Sequence, residues 1–402
     1  MLRMPDSTEN AAVVIVGGDL NGLGLVRSLA NQKMPIIAVD TTSSKAALWS
    51  RHARRCVIRS FKGQDFVEDM IALGKRFEKR PVLFLTDEDA VHTVSENRPE
   101  LGKWFRFRLP PDTGVKLLSN KSEFHRFAEQ NGFPVPHTEI LNGTSDLPLL
   151  SRLRFPCIIK PDDKRYALSG DKERAVRADS LDDAMKHAGI MLRTPGGIVA
   201  QEWIEGPESN IYFTLFYRGE NGKIAAIFTG RKLLCSPRDI GSTAICIAAP
   251  EAGEALEPMT LAIANCADFY GMGSMEYKWD SHYKRFMIIE PTVGRTDWQE
   301  EIATLCGVNI PLAAYRYELG LPAVPSVTVP SHVAWRSTFA ERAPRHLLTN
   351  SFRIFDGYFR WSDPLPAVQH YCISGSLGSR IMRQWTVRRN STSGEQIQWE
   401  ER

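Results

Sequence analysis

No CxxC pair occurs among the seven cysteines of this chain. That excludes a zinc knuckle and a thioredoxin-type motif. Cys56, Cys157, Cys235, Cys246, Cys266, Cys306 and Cys372 stand singly. Several lie in apolar runs such as Pro156-Cys157-Ile158-Ile159, where a thiol serves as a small hydrophobe. Isolated thiols of this kind suit a reducing compartment, and a cytoplasmic location is the expectation. No stretch approaches the ~18 apolar residues that a membrane span needs. The first apolar run, Ala11–Val16, is too short for the core of a signal peptide and runs straight into glycine. An excess of one charge is also lacking. Fifty Lys and Arg face 47 Asp and Glu, so nothing in the balance calls for nucleic acid or an acidic membrane. The basic stretch near Arg380–Arg389 reads as a solvated helix face. No internal repeat is visible.

What is present is a long, ordinary globular sequence. Its 402 residues are 43% hydrophobic, enough for a large core split over two or three domains. Val13-Val14-Ile15-Val16 is a continuous apolar run, as in a parallel strand buried on both faces. Ile36–Asp40 and Val82–Leu85 repeat the pattern at helix-length intervals, which predicts a doubly wound α/β unit up to about Ser119. A helix then runs from Asn120 to Glu129 and stops at Asn131-Gly132, a C-cap signal; Pro134-Val135-Pro136 forces an extended exit. Strands are expected at Pro156–Lys160, Ile198–Gln201, Ile211–Tyr217, Ala225–Thr229 and Thr243–Ile247. Two more, Ser274–Asp280 and Arg285–Glu290, flank a short turn. Helices are expected at Leu181–Leu192 and Ala255–Tyr270, and an exposed loop at Asp162–Asp171. Beyond Pro325 the pattern weakens, and the last dozen residues read as disordered.

Four segments carry chemistry. Gly17–Gly24 joins a strand to a helix N-terminus, which can cradle an anion. Asp40 closes the next strand, where dinucleotide folds keep a ribose-binding acid. An NAD(P)-dependent oxidoreductase is therefore a rival reading. The spacing Gly18-Asp19-Leu20-Asn21-Gly22-Leu23-Gly24 does not match G-x-G-x-x-G, however, so close helix packing or a substrate carboxylate suits the glycines better. Lys160 ends an apolar strand and can serve as a fixed cation for phosphate oxygens, or merely snorkel. Gln201-Glu202-Trp203-Ile204-Glu205-Gly206-Pro207-Glu208 takes a buried strand into a turn rich in carboxylates. The Glu202 carbonyl and the Ile204 N–H can meet an adenine edge and Glu208 a ribose, or the acids are plain turn residues. Finally, Glu276 and Glu290 are expected to face each other across a hairpin. Facing Cβ atoms in an antiparallel pair are ~5 Å apart and like charges there repel, so the pair favours a divalent cation, or the two are unrelated glutamates with one facing solvent.

Taken in order, these segments resemble the ATP-grasp superfamily of carboxylate–amine ligases, over roughly Val13 to Tyr315. Asn120–Phe124 through Gly132–Thr138 resembles the element that opens that fold. Phe155–Pro161 resembles its first nucleotide-binding strand, Gln201–Glu208 its adenine hinge, and Ile288-Ile289-Glu290-Pro291-Thr292 its metal strand. There are departures. Thr292 replaces the usual ligating asparagine, Arg295 stands at a shifted offset from the usual arginine, and the phosphate-covering loop Tyr166–Asp171 has a single glycine.

The resemblance implies an α/β ATP-grasp fold. A Rossmann-like pre-ATP-grasp domain would occupy residues 1–118, a small subdomain with its linker helix 119–205, and a large subdomain with the metal site 206–322. A C-terminal appendage would fill 323–402. It also implies ATP with Mg2+ or Mn2+. Lys121 and Lys160 would hold phosphates, with Gln201, Glu202, Trp203, Ile204 and Glu208 around the nucleoside. Glu276, Glu290 and Thr292 would form the metal set. Arg231 and Lys232 would neutralise the transferred phosphate, or Arg231 would hold the substrate carboxylate, with Gly241-Ser242 and Arg295-Thr296-Asp297-Trp298 on the acceptor side. The implied reaction joins a carboxylate to an amine through an acyl phosphate, with amino acids among the candidate substrates. The implied partners are small molecules and a homodimer mate, without nucleic acid. A nucleotide-binding protein without ligase activity is the third reading.

Overall fold

The computed structural model describes residues 11–162, 175–193, 195–325, 332–342 and 352–374. The expected loop Tyr166–Asp171, the stretch Arg380–Arg389 and the C-terminal residues lie outside them. Three sheets organise the described residues. The first contains β1 (Val13–Val16), β2 (Ile36–Asp40), β3 (Arg54–Val57) and β4 (Val82–Leu85), in the order β3-β2-β1-β4 and all parallel. Every residue of β1, β2 and β4 is buried, as their unbroken apolar runs require with helices on both faces.

The second sheet contains β5 (Thr138–Leu141), β6 (Cys157–Pro161), β7 (Val176–Ala178) and β8 (Ile198–Glu202). Its order is β5-β8-β6-β7, antiparallel throughout. Helix Lys121–Gln130 leads into it. Asn120 caps this helix by accepting from Glu123 N–H at 2.9 Å, and Gly132 ends it with φ +71°. The apolar side of helix Leu181–Met191 packs Ala184 and Ala188 against Cys157, Ile159 and Ala200, which gives this sheet a core of its own.

The third sheet has seven strands: β9 (Ile211–Arg218), β10 (Ile224–Ser236), β11 (Ser242–Ala248), β12 (Gly271–Asp280), β13 (Arg285–Val293), β14 (Val333–Arg336) and β15 (Arg353–Asp356). Their order is β13-β12-β9-β10-β11-β14-β15. Pairing is antiparallel except between β14 and β15. This sheet shares its core with the first. Val14 and Val16 pack in one cluster with Phe216, Met275 and Ile288, while Val13 and Ile15 share another with Leu215, Tyr217 and Trp335. Alternate side chains of β1 thus serve two separate cores.

The segment after Pro325 is better integrated than its weak periodicity predicts. Trp335, 1% exposed, donates from its indole to Glu301 Oε2 at 3.2 Å. Arg27 of the first domain binds Asp363 at 3.2 Å and the Gly357 carbonyl at 2.7 Å. The helix expected at Ala255–Tyr270 instead occupies Pro250–Cys266, because Pro250 suits a first helical turn. Among the described residues no helix is long and apolar enough to cross a membrane.

Candidate active site

A cavity of about 640 Å³ lies where all three sheets meet. Lys121, Lys160, Gln201, Glu202, Trp203 and Ile204 line it from the small-sheet side. The large sheet and the loop after β13 add Lys232, Glu276, Glu290, Thr292 and Arg295. The first domain contributes Asp19, Asn21, Thr86, Asp87 and Glu88 at the far wall.

Strand alternation explains the large-sheet wall. On β12, Ser274, Glu276 and Lys278 share one face, while Met275 and Tyr277 point into the core beneath. β13 pairs in register so that Glu276 stands opposite Glu290 and Ser274 opposite Thr292. The expected carboxylate pair therefore exists as a cross-strand pair. Lys232 of β10, 5% exposed, reaches Glu276 Oε2 at 2.5 Å. Burial raises the Glu276 carboxyl above its ordinary range; Lys232 pulls it back and Glu290 pushes it up again. Burial works against the Lys232 ammonium, yet Glu276 more than offsets this, and its pKa is raised.

Beside the pair, Asp297 accepts from Ser274 Oγ at 2.7 Å and Thr292 Oγ1 at 3.1 Å. Thr292 is thus tied to Asp297. Arg295 lies 3.5 Å from Glu88 and 3.8 Å from Asp297, which puts it between the first domain and the large sheet.

On the small sheet, Ile158 pairs with Gln201 and Lys160 with Val199. Lys160 Nζ approaches Gln201 Oε1 at 3.4 Å. Lys121 Nζ donates to the Pro161 carbonyl at 3.0 Å, which holds the linker helix against the end of β6. The chain turns after β8, with Trp203 N–H donating to the Pro156 carbonyl at 3.0 Å. The Glu202 carboxylate faces Arg154, which donates to it at 2.6 Å. Burial would raise this carboxyl, but the Arg154 bonds override that and its pKa is lowered.

Two expected site residues do not line the cavity. Arg231 precedes Lys232 on β10, so alternation carries it to the opposite face; its guanidinium stands over the Tyr212 ring at 5.8 Å. Glu208 accepts from Asp239 N–H at 2.7 Å and lies 3.3 Å from Arg238. It braces the turn between β10 and β11, the task of a buried carboxylate surrounded by donors. Sequence reasoning missed Lys278 and the first-domain acids. No local pattern marks them, because only packing of the domains brings them to the cavity.

The glycine loop serves packing. Asp40 accepts from Gly18 N–H and Thr41 N–H, each at 2.7 Å, so its carboxylate closes its own loop. A Cβ on Gly18 would meet Lys45 Cβ at 2.6 Å, and one on Gly22 the Gly17 carbonyl oxygen at 1.9 Å. Little room remains there for a dinucleotide.

Comparison with known proteins follows the same lines. No protein-family model matches the chain. A D-aspartate ligase of Enterococcus faecium (strain Aus0004) is 23% identical over 332 residues, which covers 76% of this chain and 77% of that protein. An N5-carboxyaminoimidazole ribonucleotide synthetase solved with ADP superposes with a TM-score of 0.62 at 13% identity, covering 80% of each chain. The biotin carboxylase domain of the Hydrogenobacter thermophilus 2-oxoglutarate carboxylase was solved with MgADP, ADP and bicarbonate. It matches at a TM-score of 0.62 and 14% identity, covering 81% of this chain and 74% of that one. With the turn after β8 on one sheet and an acid pair on the other, in the order its sequence motifs run, the chain has the ATP-grasp fold.

Proposed function

We propose that this protein is an ATP-dependent ligase that joins a carboxylate to an amine through an acyl phosphate. The observation that carries this reading is the composition of one cavity. Phosphate-type cations (Lys121, Lys160), a hinge (Gln201–Ile204) and a facing acid pair (Glu276, Glu290) all line the same 640 Å³ space. Relatives of the same fold were solved with ADP or MgADP, which supports a nucleotide there.

The donor set suits a hard divalent cation. Glu276 and Glu290 are facing carboxylates whose charges repel, and burial makes that repulsion costlier. Mg2+ usually takes one or two carboxylates and fills its remaining positions with phosphates and water, which a facing pair of glutamates can serve. When bound, such an ion neutralises charge on the transferring phosphoryl oxygens.

The chain's own residues do the positioning. Lys160 and Lys121 fix the phosphate oxygens, while the backbone around Glu202 and Ile204 meets the base. Lys232 supplies a buried cation where the γ-phosphoryl group meets the acid. Arg295 is placed to hold a substrate carboxylate. In the first step the carboxylate oxygen bonds to the γ-phosphorus and the bond to the ADP oxygen breaks. In the second, the amine attacks the acyl carbon, phosphate leaves and the amine loses a proton. Preorganised charge supplies most of the rate in such a site.

The test is ADP release by the purified protein with pools of carboxylic acids and amines, with hydroxylamine added to trap an acyl phosphate as hydroxamate. Acid-dependent ADP release with hydroxamate formation is expected. ADP release indifferent to every acid and amine would reject the ligase and leave a nucleotide-binding protein.

A further inference from the structure

A second buried lysine lines the cavity, and the reaction above gives it no task. Lys278 stands two residues beyond Glu276 on β12, on the same face and roughly 7 Å further along the strand. It is 7% exposed. Lys232 is buried just as deeply but has Glu276 at 2.5 Å. Lys278 has no such neighbour: among the described residues no carboxylate comes within ion-pair distance of it. Its Nζ instead lies 4.8 Å from the centre of the Trp203 ring. Arg177 stands 5.1 Å from the same ring, so one indole serves two cations.

A buried ammonium without a carboxylate partner is costly, and a ring face offsets only about 0.5–2 kcal/mol of that cost. Burial pushes its pKa down, and Asp239, Glu205 and Glu276 act on it only from a distance. A charge kept in such a place implies an acceptor that arrives with a ligand. The position says which part of the ligand. Phosphates belong at the Glu276, Glu290 and Lys160 end, and the base belongs at the turn of Trp203 and Ile204. Lys278 lies between the acid pair and that turn.

We propose that Lys278 donates to an acceptor atom on the nucleoside part of the nucleotide, a ring nitrogen or a ribose hydroxyl, and so sets affinity for the nucleoside rather than for the phosphates. This rests on the nucleotide reading of the cavity. A hydrogen bond from a charged donor in a dry site is worth about tenfold or more in affinity.

The experiment is calorimetric binding of ADP with Mg2+ to the full chain and to Lys278→Met, Lys278→Arg and Lys160→Ala, with thermal melting to check folding. Lys278→Met is expected to weaken ADP about tenfold, and Lys278→Arg to keep binding within about threefold of the parent. The same variants are then titrated with 2′-deoxy-, 3′-deoxy-, 3-deaza- and 7-deaza-ADP. With the analogue that lacks the acceptor, the Lys278→Met penalty should shrink below about twofold. An equal penalty with all four marks a lysine that only steadies Trp203, and overturns the proposal. An unchanged affinity in Lys278→Met, with Lys160→Ala impaired, overturns it too but leaves the nucleotide site standing. If Lys160→Ala is also unimpaired, the cavity is not a nucleotide site and the ligase reading fails first. Should Lys278→Met not fold, Lys278→Gln replaces it with the same criteria.

Discussion

Lys232 Nζ lies 2.5 Å from Glu276 Oε2, and Glu276 in turn faces Glu290 across the β12–β13 ladder. Burial makes this cluster sensitive to the loss of either carboxylate or of the lysine, which underlies the first predictions.

Glu290→Gln removes one acid of the pair. ATP turnover is expected to fall at least about a hundredfold while ADP binding weakens less than about tenfold, because charge neutralisation matters most as the phosphoryl group moves. Steady-state rates beside calorimetry measure the split. Full turnover in this variant would remove the metal assignment.

Lys232→Met breaks the buried ion pair. It leaves Glu276 desolvated beside Glu290, and the fold should lose about 3 kcal/mol in denaturant titration. Lys232→Met combined with Glu276→Leu should recover much of that loss, since no buried charge is then left without its partner. A double variant as unstable as the single one would show that Lys232 stabilises through packing alone.

Lys160→Ala is expected to weaken ADP about tenfold, because it removes a charge-assisted contact to phosphate. Lys160 Nζ lies on the cavity wall, 3.4 Å from Gln201 Oε1. Lys164, which lies outside the described residues, is expected to matter less when changed to Ala. An equal effect at both positions would contradict a specific phosphate contact.

The pH dependence of stability should carry the signature of Glu300. This carboxyl is wholly buried against Ser28 and Gly24, and burial pushes its pKa up to about 8, with Glu301 adding to the rise. The sign follows from linkage. Between the unfolded value of 4.5 and about 8 the folded chain holds a proton that the unfolded chain releases. The contribution to stability is therefore full below 4.5 and declines as pH rises towards about 8. Glu300→Gln should flatten that decline, raising the melting temperature at pH ~8 by several degrees relative to the parent. Parallel melting profiles for the two proteins would show that Glu300 titrates normally.

Neither NADH nor NADPH is expected to bind, by fluorescence or calorimetry. Asp40 already spends its carboxylate on Gly18 and Thr41, and the approach to Gly18 is filled by Lys45. Tight binding abolished by Asp40→Ala would revive the oxidoreductase reading.

Much of the architecture is written locally in the sequence. The apolar run Val13–Val16 fits a strand covered on both sides, and the hairpin brings the strands of Glu276 and Glu290 together, although a register shift between Glu276 and Tyr277 is what sets the two acids opposite each other. Asn120 and Gly132 bound the linker helix because each provides the cap that its end requires. Lys160 and Glu276 belong to one wall or the other for similar reasons: period two along a strand, and a fixed order of segments.

What local pattern does not encode is which faces meet. Glu208 looks like a free acid in a turn, yet Arg238 and the Asp239 N–H claim it from thirty or so residues away. Arg231 and Lys232 are equivalent cations in sequence, and only the orientation of β10 against its neighbours sends one to the cavity and the other to Tyr212. The tail from Val333 reads as weak because two short strands and a few buried anchors, Trp335 and Asp363, have no period to show. Lys278 is the sharpest case. By sequence it is a lysine in a strand; its lack of a carboxylate and its place beside Trp203 exist only once two sheets close over one cavity. Hydrogen bonds between neighbours and strand periodicity act over a few residues, so the sequence by itself determined the elements and the hairpin that carries the two acids, while a register shift in the folded sheet sets them opposite each other. Burial and charge balance are sums over every chain segment that happens to pack together, so the tertiary structure alone decided which of the charged residues form the site.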